Sequence, residues 1–155
     1  MELKQILKGK SIFIDTAPFI YFIERNNHYH QLVEQVITLL DNRQAKGVTS
    51  TITLLEVLVL PLKEGKQKIA ARYKAVLLDS AGLTTFEITH EISERAAGLR
   101  AKHGLRTPDA LQLATALTAK ADYFLTNDAA MKKIHGIKVL LLDDFLSQQP
   151  ERAKS

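Results

Sequence analysis

The chain has 155 residues, 46% hydrophobic and 25% charged, with no cysteine, which is enough apolar material for one globular unit with its own core. The absence of cysteine excludes a disulfide scaffold, thiolate nucleophiles and sulfur-ligated zinc, so any chemistry must use oxygen and nitrogen. Lys and Arg total 21 against 17 acids, a net charge of +4 that permits a polyanionic partner without requiring one.

From the N-terminus, residues 1–10 are charged and amphipathic, with neither the apolar run nor the small-residue cleavage site of a secretory signal. Residues 11–15 read as the first strand, after which Thr16-Ala17-Pro18 opens a helix. Leu32, Val36, Leu39 and Leu40 recur at helical spacing, and residues 47–50 form a second strand. The apolar stretch from Leu54 to Leu62, interrupted by Glu56, continues as a helix far shorter than the roughly 20 residues a bilayer span needs. Ile69, Tyr73, Val76 and Leu77 mark a further helix, and residues 83–87 a third strand. Ile92, Ala96 and Leu99, then Ala110, Leu113, Ala114 and Leu117, mark two more helices. Residues 123–126 and 138–142 complete the strands, and residues 148–155 read as a flexible tail. No repeat or linker divides the chain, so residues 1–155 are expected to form a single domain with its core over about 11–146. The reading is a cytoplasmic protein with no membrane partner.

Short, nearly continuous apolar strands alternating with amphipathic helices predict an α/β fold, a mainly parallel central sheet with helices on both faces. Such sheets bind ligands beyond the carboxyl ends of their strands. Four acids fall there. Asp15 closes the first strand, where helix capping and catalysis are equally good explanations. Glu56 stands one turn into its helix among Leu and Val, a costly place for a carboxylate unless a cation or proton compensates it; the structural alternative is a partly exposed or Arg-paired Glu. Asp109 follows Arg106-Thr107-Pro108, a helix start with Thr107 as the expected cap, and the helix dipole alone would account for it. Asp128 ends a strand-to-helix turn in which Asn127 competes for the cap. Each has a structural explanation singly; together they can share one pocket. Clustered carboxylates repel unless cations sit between them, and oxygen-only ligands favour Mg²⁺ or Mn²⁺. An acidic, metal-binding pocket in a basic chain points to phosphodiester hydrolysis.

Four segments then carry a resemblance. They are Ile12-Phe13-Ile14-Asp15-Thr16, Leu54-Leu55-Glu56-Val57, the run from Leu105 to Ala116 that begins Leu-Arg-Thr-Pro-Asp-Ala-Leu-Gln, and the run from Ala121 to Asp128 that ends Phe-Leu-Thr-Asn-Asp. In this order the chain resembles PIN-domain ribonucleases, in particular the small VapC-type toxins of toxin–antitoxin pairs, from Ser11 to about Leu146. The resemblance implies a three-layer PIN-like domain and Mg²⁺- or Mn²⁺-dependent cleavage of RNA. It also implies Asp15, Glu56, Asp109 and Asp128 as metal-binding and catalytic acids, Thr126 in support, a homodimer, and inhibition by a cognate antitoxin. Two departures stand out. Residues 1–10 precede the family's usual first strand, and Ala130 occupies a place where some relatives carry a further acid.

Other signals are weaker. Asp122 should lie at the strand edge opposite the pocket in a structural role. Asp143 and Asp144 read as caps of a short final helix. His28 and His30 lack a third ligand and read as loop residues. Lys63, Lys66, Lys68, Arg72 and Lys74, with Arg95, Arg100, Lys102, Arg106, Lys132 and Lys133, offer positive charge for RNA phosphates, although solvated helix surface explains most of them. Arg106 is the first of these to test. Tyr21, Phe22 and Tyr29 read as packing or dimer contacts ahead of base stacking. No phosphate-binding glycine loop occurs, and a haloacid-dehalogenase phosphatase would need an acid where Ala17 stands. The alternatives to a nuclease are a non-catalytic module that holds RNA or protein in the same groove, and an interaction domain whose acids only cap helices.

Overall fold

The computed structural model describes residues 1–134 and 136–148; the expected tail lies, past Gln148, outside the described residues. The strands are β1 (Ser11–Ile14), β2 (Lys46–Ser50), β3 (Leu83–Phe86), β4 (Tyr123–Thr126) and β5 (Lys138–Leu141). They form one sheet in the order β3-β2-β1-β4-β5, and every pair is parallel. The most apolar strand is central: Ile12, Phe13 and Ile14 are all buried, as a strand covered on both faces requires.

Alternation along β1 sorts the two layers. Ile12 and Ile14 join Leu125 in a core with α1 (Leu3–Leu7), α2 (Thr16–Ile23), α3 (His30–Asp41), α4 (Thr51–Lys63) and α5 (Gln67–Asp79). Phe13 points the other way, where it stacks on Phe124 at 5.0 Å and meets Leu113 and Ala116 of α7 (Thr107–Thr118). Helix α6 (His90–His103) packs on the outside of α7 through Ile92 and Ala96. The result is the expected three-layer α/β arrangement.

Local chemistry fixes several junctions. Residues 1–10, unassigned from the sequence, contribute α1, whose Leu3 and Leu7 are buried in the core beside α3. Gly82 admits the carbonyl of Leu40, since a Cβ there would stand 2.1 Å from that oxygen; α3 can therefore end directly against the start of β3. The Tyr73 hydroxyl donates to Glu24 at 2.6 Å, tying α5 to the end of α2, and burial followed by this carboxylate raises the phenol's pKa.

Helix α4 is apolar nearly all round. Thr53, Val57 and Pro61 face the core, while Leu55, Val59, Leu60 and Leu62 are each more than half exposed. Among the described residues no helix is long and apolar enough to cross a membrane.

Candidate active site

Asp15 follows directly on β1 and is the N-cap of α2. Its Oδ1 accepts the Thr16 N–H at 2.9 Å and the Gln112 amide at 3.4 Å, and its Oδ2 accepts the Thr126 hydroxyl at 2.8 Å. Burial pushes its carboxyl above the ordinary range; the bonds from Thr16, Thr126 and Gln112 offset part of this, and the charge of Glu56 adds to it. Thr126, fully buried at the end of β4, also accepts the Asp128 N–H at 3.1 Å. One hydroxyl thereby connects two of the acids. Asp128 caps the 3₁₀ turn at Ala129–Lys133 by accepting the Ala130 N–H at 3.0 Å. Ala130, the departure noted above, thus supplies a backbone donor at this corner.

Glu56 takes the exposed alternative that its sequence context leaves open. It is exposed, because the flanking Leu55 belongs to the outer face of α4, so burial among apolar residues does not describe it. The Thr16 hydroxyl holds its Oε1 at 2.7 Å, which joins α4 to the first turn of α2. The start of α7 differs as well: Arg106, with no side-chain cap bond, is the N-cap, and Thr107 is the first helical residue. Asp109 lies in the first turn as expected, bound by the Arg106 guanidinium at 2.9 and 3.4 Å. Helix α6 ends at His103 and is capped by Gly104 with φ of 65°, the left-handed turn that glycine favours, which leads the chain into this corner.

These four acids, from four segments, line one cavity of about 280 Å³ together with Arg106 and Tyr21. A roomier cavity, about 470 Å³, lies at the opposite edge near Arg43, Lys46 and Phe86, but no acid lines it. Size alone therefore does not choose the site. The donor set at the acidic cavity is oxygen only, which suits Mg²⁺ or Mn²⁺. Among the described residues no three acidic or histidine side chains stand together closely enough to hold one ion, and Asp109 is occupied by Arg106. The residues fit such an ion in the chemistry of their donors and in the cavity they share.

Reasoning from sequence named Thr126 in support of the site and missed the residues behind it. Gln112 is 2% exposed. Its carbonyl accepts the Ser50 hydroxyl, and its amide donates to Thr53 at 2.7 Å as well as to Asp15. The Thr49 hydroxyl has one proton, and the Ile14 carbonyl 2.8 Å away can only accept; Thr53 must therefore donate to Thr49 across their 2.8 Å contact. The chain of donors runs from Gln112 to the residue preceding Asp15. The one sequence signal was a Gln three residues after Asp109, set among Ala and Leu. Asn127, considered only as a cap, donates to the Tyr21 hydroxyl at 3.3 Å and accepts the Asp143 N–H at 3.2 Å. Tyr21 stacks on Tyr29, whose hydroxyl donates to Asp143.

The remaining candidates are placed as follows. Asp122 lies at the far edge, accepting the Ser11 N–H at 2.8 Å, in the structural role expected. Asp143 and Asp144 fall within the first turn of the 3₁₀ segment Leu142–Gln148 instead of capping it, and Asp144 pairs with Lys132. Of the basic residues named, only Arg106 lines the acidic cavity.

A parallel α/β sheet with carboxylates gathered at the carboxyl ends of its strands defines the class of molecule. The model of the PIN-domain family matches residues 12–137, and the chain belongs to that family. Its structure is similar to VapC20 of Mycobacterium tuberculosis, a sarcin–ricin-loop-cleaving toxin (TM-score 0.67, 18% identity, 83% of this chain and 98% of that one). It is similar also to a toxin–antitoxin complex from Klebsiella pneumoniae (0.61, 23%, 84% and 97%). A third likeness is VapBC2 from Rickettsia felis bound to a promoter DNA fragment (0.60, 19%, 84% and 98%). A search of curated proteins gave no match.

Proposed function

We propose that this protein is an Mg²⁺- or Mn²⁺-dependent endoribonuclease, the toxin of a toxin–antitoxin pair. The observation that carries the reading is the convergence of Asp15, Glu56, Asp109 and Asp128 from four segments on one cavity at the carboxyl edge of the sheet. Membership of the PIN-domain family and likeness to toxin structures support it.

In this reading Asp15 and Asp109 would hold the principal ion, and Glu56 and Asp128 would complete the site and orient the attacking water. A divalent ion bound there supplies a lowered pKa for water and neutralises charge at the reacting phosphate. Thr126 keeps Asp15 and Asp128 in register. Thr16, clamped on Glu56, keeps α4 against the start of α2. Arg106, at the cavity wall, meets RNA phosphate. The protein works in the cytoplasm as a homodimer restrained by a cognate antitoxin, and the apolar outer face of α4 is a surface suited to association.

The test is cleavage of a mixed RNA pool with Mg²⁺ or Mn²⁺, in parallel with EDTA and with Asp15→Asn. Cleavage lost in both controls is the expected result; full activity of Asp15→Asn overturns the site assignment. A second reading, a non-catalytic module that holds RNA or protein, draws on the pairing of Asp109 with Arg106, which neutralises one of the acids. It predicts RNA retained intact.

A further inference from the structure

Arg106 stands where helix physics would not put it. N-caps favour Ser, Thr, Asp or Asn, and the positive end of a helix dipole disfavours a cation. Arg106 makes no cap bond, although Thr107 is the next residue. Its side chain is 76% exposed, so packing does not hold it, yet two of its five N–H groups are committed to Asp109, which is only 19% exposed. Asp109 stabilises the guanidinium charge most, and Asp128 and Glu56 add to it, so the cation feels three of the four acids. As they stand, these acids do not form a cluster that can hold an ion.

We infer that Arg106 is an exchangeable counter-cation: it neutralises the acidic cavity of the metal-free protein, leaves Asp109 when a divalent ion binds, and then grips the RNA phosphate. This inference rests on the nuclease reading and adds to it an exchange in which one guanidinium serves two anions in turn. A planar fork suits both, because it binds a carboxylate or a phosphate through paired N–H donors. The exchange is feasible because an exposed ion pair is weak, whereas several carboxylates acting on a divalent ion supply a larger charge interaction. It also gives Arg106 opposite effects on two ligands, which neither a solvated surface residue nor a purely structural one would show.

The experiment titrates Mn²⁺ calorimetrically into the wild-type protein, Arg106→Gln and Arg106→Lys without RNA, then measures KM for RNA at saturating Mn²⁺. Arg106→Gln should bind Mn²⁺ about fivefold tighter, the equivalent of removing one exposed ion pair, and its KM for RNA should rise. Arg106→Lys, which keeps charge without the fork, should fall between the two in Mn²⁺ affinity yet fail to restore KM. Equal or weaker Mn²⁺ binding by Arg106→Gln overturns the exchange, and so does an unchanged KM. If the wild type cleaves no RNA, the nuclease reading fails separately; the Mn²⁺ titration still decides whether the guanidinium competes with the ion.

Discussion

On Asp15, three of the roughly four lone-pair sites of a carboxylate are already taken: two on Oδ1 by Thr16 and Gln112, one on Oδ2 by Thr126. One direction on Oδ2 is left for a further partner. The same residue is buried enough for its pKa to rise above the ordinary value of 3.8, so its ionised form costs the fold stability. The sign follows from linkage. A raised folded pKa gives a contribution fully present below the unfolded value and lost as pH rises through the folded one. Asp15→Asn, which keeps the cap and imitates the protonated acid, should therefore unfold at a higher temperature than wild type at pH 7 in EDTA. That advantage should shrink toward zero as the pH falls below about 4. Thermal unfolding at both pH values decides it, and a less stable variant at pH 7 would refute the account.

Among the elements, α4 carries two unlike faces. Thr53, Val57 and Pro61 secure it to the core, and Leu55, Val59 and Leu62, spaced at i, i+4 and i+7, form a stripe on the opposite side. A helix apolar all round is one whose second face is normally covered. Val59→Glu should leave monomer stability within about 0.5 kcal/mol, since the side chain is exposed, and should turn a wild-type dimer into a monomer in sedimentation. Dimers in both samples would exclude this face as the self-association surface. Helix α7 makes the complementary point. By starting one residue earlier than Thr107 would set it, it brings Arg106 and Asp109 onto the same turn.

Across the whole molecule, the parallel sheet gives the two strand edges different duties. All five strands end at the edge where the acids collect, and begin at the edge where Asp122 joins β4 to β1 by accepting the Ser11 N–H and donating its own N–H to the Ser11 carbonyl, both at 2.8 Å. An acid at the carboxyl edge can serve chemistry, and one at the amino edge can only serve the fold. Asp122→Ala should thus cost about 1–3 kcal/mol in denaturant unfolding through loss of a charged hydrogen bond. The kcat of the folded protein should stay at the wild-type value. A large fall in kcat at full folding would contradict the separation of the edges.

The central strands were legible in the sequence because each is a short apolar run whose burial on both faces leaves little polar alternation, as in Ile12-Phe13-Ile14 and Phe124-Leu125, whereas β2 and β3 were marked by β-branched residues. Asp15, Asp109 and Asp128 were legible because strand ends and first helical turns are local features. Glu56 was found by position, with its environment left open between burial and exposure. Apolar neighbours in sequence do not reveal whether they face the core or solvent, and only the packing of Thr53, Val57 and Pro61 decided that α4 turns Leu55 and Glu56 outward. Gln112 was invisible for a related reason. Its partners Asp15, Ser50 and Thr53 lie 59 to 97 residues away, and no local pattern encodes a bond across that separation. The sequence by itself determined the parallel α/β architecture and the acids at its carboxyl edge, because periodicity and strand ends are read locally. Tertiary structure alone decided which hydroxyls and amides hold those acids, because that depends on distant segments meeting in space.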